Sequence, residues 1–161
     1  QLALADAVAV TLIEARNFKS EDFAIYHPGG SLGKTLLLRV QDMLDTSHKP
    51  KVNVQACVKE VIVEISEKRL GGTTVVNDKD EIVGIITDGD IRRMLNTYDS
   101  FTHLKAMDIM TKNPKTIEQN ILVSKALHIL ENHAITQLVV VNKNIYVGIL
   151  HLHDILKEGI V

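Results

Sequence analysis

The sequence predicts an α/β (α+β) protein made of two similar units, each with a helix, a pair of short strands and a second helix. The main observation is an internal repeat. Residues 84–91 and 148–155 both read glycine, two aliphatic residues, three variable positions, Asp and Ile, and the copies are 64 residues apart. Val75-Val76 recurs as Val139-Val140 at the same spacing. Such a period is typical of two supersecondary units that pack together.

The composition supports a compact aliphatic protein. With 161 residues, 45% of them hydrophobic and only 4% aromatic, the chain can bury one ordinary core or two small ones. A net charge of −2 argues against a nucleic-acid binder. No apolar run approaches the roughly 20 residues that span a bilayer, so we expect no membrane segment. The single cysteine, Cys57, fits a reducing, cytoplasmic location.

Residues 1–38 precede the repeat and differ from it. Residues 2–16 predict a helix that is apolar almost all round, as in a helix taken from a larger core. Because the chain starts at Gln1 within this helix, we expect it to be a piece of a longer protein. Gly33-Lys34-Thr35 matches the end of a phosphate-binding P-loop, but Pro28 stands where that motif needs its first glycine. We therefore expect no P-loop.

Residues 54–70 are ambiguous on their own, since Val61 and Val63 favour a strand while Val58, Val61 and Ile65 fit a helix. The corresponding segment of the second unit, 121–133, has clear helical spacing, so we predict helices in both. The other predicted elements are strands over 73–76, 81–86, 137–141 and 145–150, turns over 77–80 and 142–144, and helices over 88–96 and up to residue 157.

The stretch from Gly84 to Arg93 is the main candidate site. Thr87 and Asp90 stand three apart at the expected start of a helix, where they would form a capping box. The same groups suit a ligand: free N–H groups, a hydroxyl and the side chains of Arg92 and Arg93 suit phosphate, and a carboxylate suits a ribose diol. The residues alone leave both interpretations open.

The second copy of the motif departs from the first. His151 replaces the threonine, whereas Asp154 is kept. His151 and His153 alternate and would make only half of a metal site, so we predict histidines that line a cleft or support the fold, and no metal.

This repeat resembles the tandem cystathionine-β-synthase (CBS) domain pair over residues 39–161, with Gly84-Ile-Ile-Thr-Asp-Gly-Asp90 as the most specific motif. The resemblance implies repeats over 39–100 and 101–161 and a cleft that binds an adenine nucleotide or a related ligand, with Thr87 and Asp90 as the phosphate and ribose contacts. The full set of candidate ligand-binding residues is Thr73, Thr87, Asp88, Asp90, Arg92, Arg93, Thr136, His151, His153 and Asp154.

Residues 1–38 resemble the end of a sugar-isomerase (SIS) domain, through residues 6–10 and 27–33. Joined to a CBS pair, this ending is similar to the D-arabinose 5-phosphate isomerase family of the KpsF/GutQ type. That resemblance implies interconversion of D-ribulose 5-phosphate and D-arabinose 5-phosphate for 3-deoxy-D-manno-octulosonate, lipopolysaccharide or capsule synthesis. His27 is the candidate catalytic residue, and a histidine suits proton transfer near neutral pH. The 161-residue chain by itself is expected to be inactive.

Two roles are open for the repeat pair. In the first it senses a metabolite, either an adenine nucleotide or a CMP-linked sugar, and no cofactor is required. In the second it has no ligand, and CBS pairs stack to hold a homo-oligomer, a tetramer in the parent enzyme. A CBS module of an unrelated enzyme or transporter is a third interpretation, which the segment from His27 to Gly33 disfavours.

Overall fold

The structure is a computed structural model that describes residues 2–26, 29–45 and 47–160. The leading segment and first unit contain α1 (Leu2–Ala15), α2 (Ser20–Tyr26), α3 (Ser31–Leu37), α4 (Val40–Met43), β1 (Lys51–Asn53), α5 (Val58–Lys68), β2 (Gly72–Val76), β3 (Ile82–Thr87) and α6 (Asp88–Thr97). The rest contains α7 (Ala106–Ile109), β4 (Thr111–Lys112), β5 (Thr116–Glu118), α8 (Val123–Asn132), β6 (Gln137–Asn142), β7 (Ile145–His151) and α9 (Leu152–Lys157).

Two small mixed sheets repeat one topology. In the first, β1 pairs in parallel with β2, β2 pairs antiparallel with β3, and β4 adds to the far edge of β3. In the second, β5 pairs in parallel with β6 and β6 antiparallel with β7. Each hairpin has a register shift after the residue that pairs with the glycine of the motif, which is Val75 opposite Gly84 and Val140 opposite Gly148. The predicted α/β class and repeat are therefore confirmed.

The prediction of one strand pair per unit was incomplete. The structure adds β1, β4 and β5 and the one-turn helices α4 and α7. These elements have only two to four residues, too few to show a period. β1 and β5 exist because they pair with β2 and β6, more than 15 residues further along the chain.

The ambiguous segment of the first unit is helical, as predicted, but α5 starts at Val58 rather than at residue 54. Val58, Val61 and Ile65 are buried along one face of α5. The residues before Val58 do not form a helix, because the Val54 N–H donates to Val76 O on β2 over 2.8 Å. The helix of the second unit is likewise shorter than predicted, Val123–Asn132.

The short helices α4 and α7 are exchanged between the units. Val40, at the start of the first predicted repeat, packs in the second core, where its N–H donates to Ile121 O over 2.9 Å. Ala106, near the start of the second predicted repeat, packs in the first core, where its N–H donates to Ala56 O over 2.8 Å. The domain bounds 39–100 and 101–161 remain a prediction. Each of the two predicted repeats contributes a residue to the core of the other, so the packing does not follow a boundary at residue 100.

The exchange explains the glycine that opens each copy of the motif. A Cβ on Gly84 would lie 2.6 Å from Met110 Sδ, and one on Gly148 would lie 3.4 Å from a Leu44 methyl. Met110 follows α7 and Leu44 follows α4, so each glycine contacts the exchanged segment, and Gly84 makes room for it because a Cβ there would clash with Met110.

The two sheets meet through a small third core formed by Ile85, Val139, Tyr146 and Ile149. The Tyr146 hydroxyl donates to Pro50 O over 2.8 Å and so ties the two units together inside this contact. In contrast, α1 is a helix as predicted but buries none of its residues within the described chain. Among the described residues, no helix is both long and apolar enough to cross a membrane.

Candidate functional site

The motif in the first unit forms a capping box where β3 ends and α6 begins. Thr87 is the N-cap residue, and its Oγ1 accepts from the Asp90 N–H over 3.4 Å. In return, Asp90 Oδ2 accepts from the Thr87 N–H over 2.8 Å and from the Thr87 hydroxyl over 2.7 Å. The predicted structural role of these two residues is therefore present.

Asp90 also accepts hydrogen bonds from outside the box. Its Oδ1 accepts from Arg93 Nη2 over 2.6 Å and from Thr111 Oγ1 over 2.9 Å. Only 6% of the Asp90 side chain is exposed. Burial of this carboxyl opposes its ionisation, but the hydrogen bonds from Thr87, Arg93 and Thr111 outweigh burial and hold the pKa of Asp90 below its ordinary value.

A cavity of about 450 Å³ opens beside Asp90, between the two units. We name it the first cavity, and its lining residues are Ile85, Thr87, Asp90, Arg93, Thr111, Asn113, Pro114, Lys115, His133, Ala134, Ile135, Thr136 and Gln137. This volume lies in the range of small-molecule sites. Its lining carries one carboxylate, Asp90, against Arg93 and Lys115, with His133 beside them. The first cavity is therefore suited to an anionic ligand that also presents hydroxyl groups.

Of the predicted ligand-binding residues, Thr87, Asp90, Arg93 and Thr136 line the first cavity. The hydroxyl of Thr136 donates to Gln137 Oε1 over 2.8 Å.

Three other predicted residues of the first unit do not line it. Arg92 and Asp88 are exposed on α6, and Asp88 faces Gly71 rather than the cavity. Thr73 is fully buried on β2, where it pairs with Ile86.

The second copy of the motif lies beside a different cavity. His151 caps α9 through its Nδ1, which accepts from the His153 N–H over 3.0 Å. Burial, and then the nearby charges of His153 and Lys157, lower the pKa of His151 against the opposing effect of Asp154. The rings of His151 and His153 are 6.5 Å apart in an edge-on arrangement. Neither His151 nor His153 is among the lining residues of the first cavity or of the cavity described next.

Asp154 lines a second cavity of about 540 Å³, formed by Leu38, Asp42, Met43, Asp45, Leu70, Ile149, Asp154, Lys157 and Glu158. It is the repeat-related counterpart of the first, since Ile149, Asp154 and Lys157 lie 64 residues after Ile85, Asp90 and Arg93. Its charges are reversed: four carboxylates face one lysine. The Ser47 hydroxyl, His48 and the Ser47 N–H lower the pKa of Asp45 to about 2, so this carboxylate keeps its charge in weak acid.

The residues that sequence reasoning missed come from the segments 111–115 and 133–137. The first segment contains β4 and leads into β5, and the second runs from the end of α8 to the first residue of β6. One signal was available: Pro114-Lys115 repeats Pro50-Lys51, and the two pairs stand where β5 and β1 begin. His27, the predicted catalytic residue, lies outside the described residues. Over residues 2–26, 29–45 and 47–160, no three His, Cys, Asp or Glu side chains are grouped to hold a metal ion.

Comparisons with known proteins agree with this architecture. The CBS domain model matches residues 50–97 and 106–160. The chain is 40% identical over 161 residues to arabinose 5-phosphate isomerase KdsD of Yersinia pestis and 39% identical to the Escherichia coli K12 protein of that name, covering 99% of this chain and 49% of each relative. The chain thus spans about half the length of these curated relatives.

A solved CBS domain protein from Pyrobaculum aerophilum, in complex with AMP, superposes with a TM-score of 0.67 at 24% identity over 73% of this chain and 90% of that chain. This likeness concerns the fold. Two matched CBS segments, two sheets of one topology and a cavity between them lead to one conclusion: the chain belongs to the CBS domain family, with the two repeats arranged as a tandem pair.

Proposed function

We propose that this chain is the ligand-sensing region of a sugar-phosphate isomerase, and that the first cavity binds an adenine nucleotide. The observation that carries this proposal is Asp90, a buried, ionised carboxylate at the edge of a cavity whose other charged lining groups are Arg93 and Lys115. A ribose diol donates to a carboxylate, and phosphate pairs with arginine and lysine. A CMP-linked sugar offers the same two chemical groups and is the other ligand class to test.

The parent activity in this proposal is the interconversion of D-ribulose 5-phosphate and D-arabinose 5-phosphate. Its support is the similarity to isomerases that are about twice as long as this chain. His27 is the proposed acid–base residue, moving a proton next to the carbonyl through an enediolate. The 161-residue chain alone is expected to show no turnover, and we expect the parent protein in the cytoplasm.

Regulation requires that the ligand bind two conformations unequally. The first cavity meets a structural condition for this, because its walls come from both repeats and from the connection between them. A ligand that contacts Thr87 and Thr136 together would favour one spacing of the two units. Whether it activates or inhibits the isomerase is a separate measurement on the full-length enzyme.

A structural role is the second candidate, favoured by an apolar groove. The groove lies between α5 and the loop after α6, lined by Cys57, Val58, Lys59, Ile62, Val63, Phe101 and Thr102, and Val63 is 45% exposed. In this alternative, CBS pairs stack as a homo-oligomer without a ligand, a tetramer in the parent enzyme.

Calorimetry separates the two roles. The chain would be titrated with AMP, ATP, CMP and CMP-linked octulosonate, with Lys115→Ala as the test variant and Lys112→Ala as the matched control, since Lys112 is exposed nearby but lines no described cavity. The sensor role predicts binding that weakens about tenfold in K115A only, because the loss of one charge-assisted hydrogen bond has about that effect. No binding by the unchanged chain would contradict it and favour the structural role.

A further inference from the structure

We propose that Arg93 is a displaceable counter-ion: it pairs with Asp90 when the first cavity has no ligand, and it turns to the ligand's phosphate when a ribose diol replaces it at Asp90. This inference rests on the proposed nucleotide site and assigns Arg93, rather than Arg92, as the residue that selects phosphorylated ligands.

The hydrogen bonds of Asp90 provide the first reason. A carboxylate has about four acceptor positions. Oδ2 accepts from the N–H and the hydroxyl of Thr87, and Oδ1 accepts from Arg93 and Thr111. All four positions are therefore used, and a diol can approach this carboxylate only if one of the present donors leaves.

Arg93 is the donor that leaves at least cost. Its side chain is 70% exposed, so its guanidinium regains water when it moves. Thr87 holds the N-terminus of α6, and Thr111 is fixed by the pairing of β4 with Ile85 on β3. Releasing Thr87 would disturb the N-cap of α6, and the β-branched side chain of Thr111 has few χ1 rotamers, whereas the long side chain of Arg93 can rotate away about several bonds.

The surroundings of Arg93 allow that rotation. Besides the first cavity, Arg93 and Asp90 both line a smaller cavity of about 190 Å³, together with Met94, Thr97, Tyr98, Asp108 and Ile109. Arg93 therefore borders open space in two cavities.

A difference between AMP and adenosine follows. Adenosine must displace Arg93 from Asp90 but has no phosphate to accept the hydrogen bonds of the guanidinium. AMP also displaces Arg93, and its phosphate then accepts those hydrogen bonds. Loss of the Arg93 side chain should therefore leave the affinity for adenosine unchanged or raise it, and it should lower the affinity for AMP. The ratio of the two affinities is the diagnostic quantity, because a residue that only supports the fold would change both ligands alike.

The experiment is calorimetry with AMP and adenosine on the unchanged chain, on R93A and R93K, and on R92A as the matched control. We expect the preference for AMP to fall about tenfold in R93A and to be retained in R92A. R93K, which keeps the charge but not the planar fork, should give an intermediate ratio. Thermal unfolding of each variant checks that it is folded.

The outcomes distinguish this inference from the proposed function. If neither ligand binds the unchanged chain, the nucleotide site is wrong and the role of Arg93 falls with it. If AMP binds but R93A and R93K weaken AMP and adenosine by the same factor, the nucleotide site stands and the displaceable role of Arg93 is wrong. An unchanged preference in R93A, or an equal loss of preference in R92A, also overturns it.

Discussion

The hydroxyl of Thr111 donates to Asp90 Oδ1 over 2.9 Å, so the segment that leads into the second repeat is bonded to the buried carboxylate of the first. The two residues are 21 positions apart and meet because β4 pairs with β3. This bond joins Asp90, which lines the first cavity, to the segment that links the two repeats.

Thr111→Val tests that connection. The change removes one donor from a buried carboxylate, and we expect the free energy of unfolding to fall by about 1–2 kcal/mol. Urea unfolding gives the value. Thr116→Val is the control, since Thr116 is exposed on β5, the next strand along the chain. Equal effects of the two substitutions would contradict a particular role for the Thr111 hydroxyl.

The stability of the chain should depend on pH through Asp90. Its pKa is lower in the folded chain than the ordinary value of about 3.9. The ionised carboxylate therefore stabilises the fold above about pH 4, and this contribution is lost as the pH falls through the folded pKa.

Asp90→Asn removes this titration. We expect the variant to be less stable at pH 7, but to lose less stability between about pH 5 and pH 2 than the unchanged chain. Urea midpoints across that range provide the measurement. A variant whose stability falls with pH as steeply as that of the unchanged chain would show that Asp90 does not contribute to the acid sensitivity.

The two repeat-related cavities should differ in ligand binding. The first carries Arg93 and Lys115, and the second carries Asp42, Asp45, Asp154 and Glu158 against one lysine. Like charges repel an anionic ligand from the second cavity. We expect calorimetry to give one AMP per chain.

Matched charge changes check the location of that single site. Lys115→Glu should weaken AMP at least tenfold, because it places a carboxylate beside the phosphate. Asp154→Ala should change the affinity less than twofold. Two AMP molecules per chain would contradict the expectation of a single site. A strong effect of D154A would show that AMP binds in the second cavity and that our proposal names the wrong one.

The end of α5 offers a test of local backbone strain. Arg69 adopts a left-handed conformation with φ of 56° just after the helix, where glycine is usual. We expect Arg69→Gly to leave the free energy of unfolding unchanged or to raise it by up to about 1 kcal/mol. Lys68→Gly, one position earlier and inside the helix, should lower it by about 1 kcal/mol. Thermal unfolding compares the two, and a larger loss for R69G than for K68G would refute this reading of the helix end.

Much of the site was predictable because its parts are local. Thr87 and Asp90 stand three apart at a helix start, and that spacing alone predicts a capping box. The distinction between Arg92 and Arg93 was also available, since on a helix the residue at i+3 from Asp90 faces it and the residue at i+2 does not. Thr73 was predicted as a ligand contact, but β2 is an inner strand, and the Thr73 side chain is fully buried there.

The sequence by itself determined the repeat, the main helices and hairpins, and the pairing of Thr87 with Asp90, because each depends on residues within a few positions of one another. The tertiary structure alone decided that α4 and α7 pack on the opposite units and that Thr111, Lys115 and His133 close the first cavity. The physical reason is that these groups find their partners through strand pairing and core packing between distant segments. A local pattern of apolar and polar residues does not predict which distant residues become those partners.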